Sequence, residues 1–169
     1  MKKIMFNDKY GLTQAVIEKR KTMTRRIVND CHPKYQIGEN LAVAQSYHNL
    51  NKLGFTAPEW LDHTCESSAG YDNKMFVRAD LMPYGIRITD IKMERLQDIT
   101  DEDARCEGVE PWLDHSYIVP GIMDGGGQYN KCFETPRLAF AALIDKVVGK
   151  GTWDDNPWVY AYKFELFEF

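Results

Sequence analysis

Lys19-Arg20-Lys21-Thr22-Met23-Thr24-Arg25-Arg26 places five cationic side chains and two hydroxyls in eight residues. A lysine set among arginines feels like-charge repulsion, which lowers its ammonium pKa toward the range where it can accept a proton. Such a lysine near a threonine hydroxyl has the parts for general-base and nucleophilic chemistry. Left untuned, the same cluster is an anion-binding patch or a charge run facing water. The rest of the chain is acidic, with formal net charge -4 and a pI near 5.6. The concentration of positive charge is therefore local, and the molecule as a whole has no general attraction for polyanions.

These side chains must be positioned by the backbone. On a flat strand Thr22, Thr24 and Arg26 share one face, and Lys21, Met23 and Arg25 share the other. Lys21 and Thr24 reach a common site only if the chain bends between them, and a helix-to-strand junction supplies that bend. The pattern upstream fits. Ile4-Met5-Phe6 reads as a short strand ending at Asn7, a good helix N-cap, and Asp8 to Lys19 carries Leu12, Ala15 and Val16 at helical spacing. The basic segment then runs from a turn into a strand through Val28.

Downstream, a second strand is expected over residues 40–46. Residues 47–74 read as an inserted loop with a short helix near Trp60. Met75-Phe76-Val77 reads as a strand piece, Pro83-Tyr84-Gly85 as a turn, and Ile86 to Leu96 as a long strand. The apolar parity of that strand changes near Thr89-Asp90, which predicts a bulge. Thr100 with Asp103 three residues on resembles a capping box, opening a short helix that stops at Gly108. Residues 109–134 form a second long loop. Thr135-Pro136 then opens a helix with Phe140, Leu143, Ile144 and Val147 in one stripe, closed by Gly149. In the final strand Trp158, Tyr160, Tyr162, Phe164 and Leu166 alternate onto one face, which reads as core. The fold expected is α+β: a small mixed β-barrel flanked by short helices, with long insertions at about 47–74 and 109–134.

At 169 residues and 44% hydrophobic content the chain reads as one ordered domain. Its four cysteines have no CxxC pair and read as reduced thiols, and no segment resembles a signal peptide or membrane span. A cytoplasmic location without membrane attachment is the expectation. Gly149-Lys150-Gly151-Thr152 lacks the hydroxyl residue after lysine and the upstream glycine of a phosphate-binding loop. The glycines at 125–127 open no helix. His32 beside Cys31 and His63 near Cys65 lack zinc-finger spacing, so neither a metal nor a cofactor is assigned.

Lys21-Thr22-x-Thr24-x-Arg26 after a short helix resembles the signature of ASCH domains, which are small PUA-like β-barrels. Ile37-Gly38-Glu39-Asn40-Leu41 resembles the family's G-D-x-L turn. Glu94 to Ala104, continued by Glu107-Gly108, resembles its L-x-D-I-T-x-E-D-A-x-x-E-G segment. Trp153 with Asn156-Pro157-Trp158-Val159 resembles the end of the phage- and prophage-associated branch. The sequence departs from the pattern where Ala42-Val43-Ala44-Gln45 replaces W-V-R-E, and where Lys19 replaces the glycine before Arg20.

The resemblance implies binding of RNA or a modified nucleoside, with Arg20, Thr22, Arg25 and Arg26 as ligand-binding residues around Lys21 and Thr24. One branch of the family hydrolyses the acetyl amide of acetylcytidine. Its catalytic residues fall by motif position on Lys21 (base), Thr24 (nucleophile) and Glu107 (acid). Read from its position alone, Glu107 is equally a solvent-facing helix residue. Three functions follow as expectations: nucleoside or RNA binding, amide hydrolysis of an acylated pyrimidine nucleoside, and a phage accessory scaffold whose insertions bind protein. The acidic net charge favours a small ligand or a single-stranded end over a long polyanion.

Overall fold

The computed structural model describes residues 1–29, 32–54 and 67–169. In chain order its elements are β1 (Lys3–Ile4), α1 (Leu12–Ile17), β2 (Met23–Ile27), β3 (Asn40–Val43), α2 (Tyr47–Lys52), β4 (Tyr84–Arg95) and α3 (Asp101–Cys106). They continue with β5 (Glu110–Pro111), β6 (Tyr117–Ile118), α4 (Pro136–Val147), α5 (Thr152–Asp155) and β7 (Trp158–Glu168). Five strands form one mixed sheet in the order β1-β3-β4-β7-β2, and β5 and β6 form a separate hairpin. The α+β class expected from the sequence is present. The barrel is not closed: among the described residues no ladder joins β1 to β2, and the sheet keeps an open seam between them. The Arg26 side chain crosses it, Nη2 donating to the Met5 carbonyl at 2.7 Å.

Local chemistry explains most boundaries. Asn7 accepts from the Lys9 N–H as anticipated, but Gly11 adopts a left-handed conformation and splits the expected helix into a 3-10 turn (Asp8–Tyr10) and α1. The bulge appears between Ile88 and Asp90 of β4. Thr100 caps α3 through the Asp103 N–H, and Thr135 caps α4 through the Leu138 N–H with Pro136 in the first turn.

Three expectations are corrected. Lys74–Phe76 is a 3-10 turn, not a strand, because its carbonyls turn to the Lys3 ammonium: Nζ lies 3.2 Å from the Lys74 oxygen and 2.7 Å from that of Met75. Tyr84 and Gly85 already pair with β7 and belong to β4. Trp158 does not join the core face. It is 46% exposed, with the Arg95 guanidinium stacked 4.6 Å from its ring.

The main core gathers Ile4, Val16, Leu41, Ile86, Leu96, Phe140 and Tyr162, each nearly solvent-free. Burial of each side chain of this size stabilises the fold by about 1.5–3 kcal/mol. The region 109–134 is built into this core through Val109, Val119 and Ile122. In the region 47–74, α2 packs Tyr47 and Leu50 on a second small core with Ala42, Val77 and Met82. The expected helix near Trp60 falls outside the described residues. No helix among the described residues is long and apolar enough to cross a membrane.

Candidate active site along the open seam

The helix-to-strand bend occurs where the spacing required it. Beyond α1 the chain turns through Lys19, whose φ is 61°, and the N–H groups of Arg20 and Lys21 both donate to the Ala15 carbonyl at 2.9 Å. Thr22 N–H then donates to the Cys106 carbonyl at 2.9 Å, tying the entry of β2 to the end of α3. Lys21 therefore lies against Glu107, the C-cap residue that follows α3. Gly108 follows at φ 101°, and a Cβ there would come within 3.1 Å of Leu12, so its absence lets this turn seat against α1.

Lys21 Nζ donates to Glu107 Oε2 at 2.6 Å and to the Glu107 carbonyl at 2.8 Å, leaving one of its three protons free. Only 2% of Lys21 and 3% of Glu107 is accessible to solvent. The other Glu107 oxygen accepts from Arg25 Nη1 at 3.0 Å. Arg25 also forks onto Glu94 Oε1 through Nε (3.0 Å) and Nη2 (2.7 Å), and reaches Asp103 at 2.9 Å. Lys92 closes the network on Glu94 Oε2 at 2.7 Å. Lys21, Arg25, Glu94 and Glu107 thus balance one another out of water, as buried charge demands, while Asp103 and the exposed Lys92 complete the network at its rim.

Burial lowers the Lys21 pKa most. The Glu107 charge and hydrogen bond oppose that shift, and Arg26 and Arg25 add to it. The direction foreseen from like-charge repulsion is right, while its chief cause is desolvation. Burial would lower the Arg25 pKa, but Glu107 and Glu94 outweigh it and hold the guanidinium above its ordinary value. Burial likewise pushes the Glu94 carboxyl up, and hydrogen bonds from Lys92 and Arg25 overcome it and hold it below the usual range.

A cavity of about 890 Å³ runs along the seam, and Lys21, Thr24, Arg25, Arg26 and Glu107 all line it. The Thr24 hydroxyl makes no hydrogen bond to a described residue and none to Lys21. Tyr35, Tyr160 and Tyr162 offer aromatic surface, and α4 contributes an aliphatic wall. Arg26 and Lys34 reach the cavity without a carboxylate partner among the described residues. Arg20 and Thr22 do not line it. Arg20 is engaged by Glu18 at 2.6 Å and Glu110 at 2.8 Å, and Thr22 is half-buried at the α3 junction.

Among the described residues no cluster of His, Cys, Asp and Glu is arranged to hold a metal; Cys31, His63 and Cys65 lie outside them. Sequence reasoning missed Glu94. Its signal was the alternation of Lys92 and Glu94 within a strand, a charged stripe that demands partners on the opposing element.

No family model and no curated protein matches the sequence. Among solved structures, protein EF3133 from Enterococcus faecalis V583, of family DUF984, shares the fold. The alignment has a TM-score of 0.50 and 12% identity, and covers 99% of this chain and 81% of the other.

Proposed function

We propose that the protein is an ASCH-type domain, PUA-like in plan with its barrel left open, that binds a modified nucleoside or nucleotide in the seam cavity. The observation that carries this reading is the convergence of Lys21, Thr24 and Glu107 on one cavity of about 890 Å³. Lys19 supports the resemblance from another direction: it stands where the ASCH pattern has glycine and occupies the left-handed region that favours glycine. Long RNA fits poorly. Lys21, Arg25 and Arg20 are already paired with carboxylates, which leaves Arg26 and Lys34 for an anion. One phosphate, or the end of a single strand, matches that charge, and the tyrosines provide faces for a base.

The 2.6 Å contact between Lys21 and Glu107 favours a second, catalytic reading, hydrolysis of an acylated cytidine. The Lys21 ammonium first passes a proton to Glu107 across their contact, and the amine so formed takes the Thr24 proton as Thr24 Oγ attacks the acyl carbonyl. Protonated Glu107 then delivers its proton to the exocyclic nitrogen as the C–N bond breaks. Water then cleaves the acyl-threonine ester, and the same groups return to their starting states.

The test is incubation of the purified protein with acetylcytidine, followed by chromatography, with Lys21→Ala and Thr24→Ala beside it and calorimetry for binding. Turnover lost in both variants supports hydrolysis. Saturable binding without turnover supports the binding reading alone. Neither signal, from folded protein, overturns both for this nucleoside.

A further inference from the structure

Two strand edges face the cavity with backbone groups that no other strand pairs among the described residues. On β2, Thr22 accepts from the Phe164 N–H and Val28 donates to the Trp158 carbonyl, each at 2.9 Å. With Thr24 opposite Tyr162 and Arg26 opposite Tyr160, the even-numbered residues turn their amides to β7. The N–H and C=O of Arg25 and Ile27 therefore point the other way, and no described residue bonds to them. Along β1 the carbonyls of Lys2, just before it, and Ile4 accept from the N–H groups of Ala42 in β3 and Ala44 just past it, which turns the backbone of Lys3 and Met5 outward, where the Met5 carbonyl accepts only from the Arg26 side chain. Lys3, Met5, Arg25 and Ile27 all line the cavity. Open strand edges are ready templates for another chain.

We propose that the seam is a slot for an extended peptide of a partner protein, which adds as a strand between β1 and β2 with aliphatic side chains on one face and acidic ones on the other. A polypeptide repeats its donors and acceptors every two residues, about 6.8 Å along a strand, as these edges do. A nucleobase edge offers no such repeat. Side-chain chemistry sets the alternation. Ile27 is paired with Val159 and shares its face, and Leu143, Ile144 and Val147 of α4 also border the cavity. Arg26 and Tyr160 share the opposite face, and Arg26 and Lys34 are cations without carboxylate partners among the described residues. Arg25, fixed on three carboxylates, holds the β2 edge in place before any partner arrives. The inference stands whether or not the nucleoside reading does, although the two ligands would compete for one space.

The test is amide hydrogen exchange by NMR on the ¹⁵N-labelled protein with the synthetic peptide acetyl-Val-Glu-Val-Glu-Val-Glu-amide. At saturation, exchange at the Arg25 and Ile27 amides should slow by about tenfold or more. The same peptide N-methylated at alternate residues should not bind, and a version with lysine for glutamate should bind more weakly. Unchanged exchange at saturating peptide, or equal binding of the N-methylated peptide, would overturn the proposal. So would a short RNA oligonucleotide that slows these amides when the peptide does not. Failure of excess acetylcytidine to displace a bound peptide would count against the nucleoside reading alone.

Discussion

The Lys21 ammonium and the Glu107 carboxylate meet at 2.6 Å across a sequence separation of 86 residues, both almost wholly out of water. Their surroundings are unequal. Glu107 has a second cation in Arg25, whereas Lys21 has no second carboxylate in contact among the described residues.

That inequality predicts unequal mutants. Glu107→Gln leaves a buried ammonium without its counter-charge and should cost about 3–5 kcal/mol. Lys21→Met leaves Glu107 with Arg25 and should cost about 1–3 kcal/mol. Urea denaturation of the two variants decides the matter, and equal losses would contradict this account of the cluster.

The Lys21 pKa is lowered by burial, so between its folded value and about 10.4, its unfolded value, the unfolded chain binds more protons. Stability from this group therefore rises with pH through that window. The stability of wild type minus that of Lys21→Met should increase toward alkaline pH, and a flat difference would refute the assignment. At the acid end Glu94 acts in the same sense, stability again rising with pH. Its folded pKa is depressed, so its contribution is present above about pH 4.3 and disappears as pH falls through the folded value. Glu94→Gln should flatten that limb.

Lys19 sits exposed at φ 61° in the turn that delivers Lys21. Replacing it with glycine relieves left-handed strain and should raise stability by about 0.5–1 kcal/mol. A fall in melting temperature for Lys19→Gly would mean that the turn is held by something other than backbone preference.

Gly121, at φ 80°, fastens the region 109–134 to the first turn of the chain. A Cβ there would lie 2.5 Å from the Lys9 carbonyl oxygen. Gly121→Ala should cost on the order of 2 kcal/mol. Thermal unfolding at the wild-type temperature would show that this region contributes little to the cooperative unit.

Local signals carried the helix caps and the bulge, because Thr100, Thr135-Pro136 and the change of parity near Thr89-Asp90 act within a few residues of themselves. The bend that brings Lys21 and Thr24 to one cavity was legible for the same reason. The fate of the cations was not. Arg25 reads as a ligand-binding residue until Glu94, Asp103 and Glu107 arrive from 69 to 82 positions away and occupy its guanidinium. Arg20 is diverted by Glu110 in the same way. Met75-Phe76-Val77 was misread because its apolar composition suits a strand, while the Met75 and Val77 carbonyls are claimed by Lys3, a partner no local pattern reveals.

Arg26 gives the seam a latch. Its guanidinium clasps the Met5 carbonyl at 2.7 Å, and it is also a cation that no carboxylate among the described residues holds in the cavity. An anionic guest that recruits this side chain must free that carbonyl, so occupancy and parting of the two edges become one event. Affinity would then carry a mechanical component: the molecule admits its guest by unbuttoning itself.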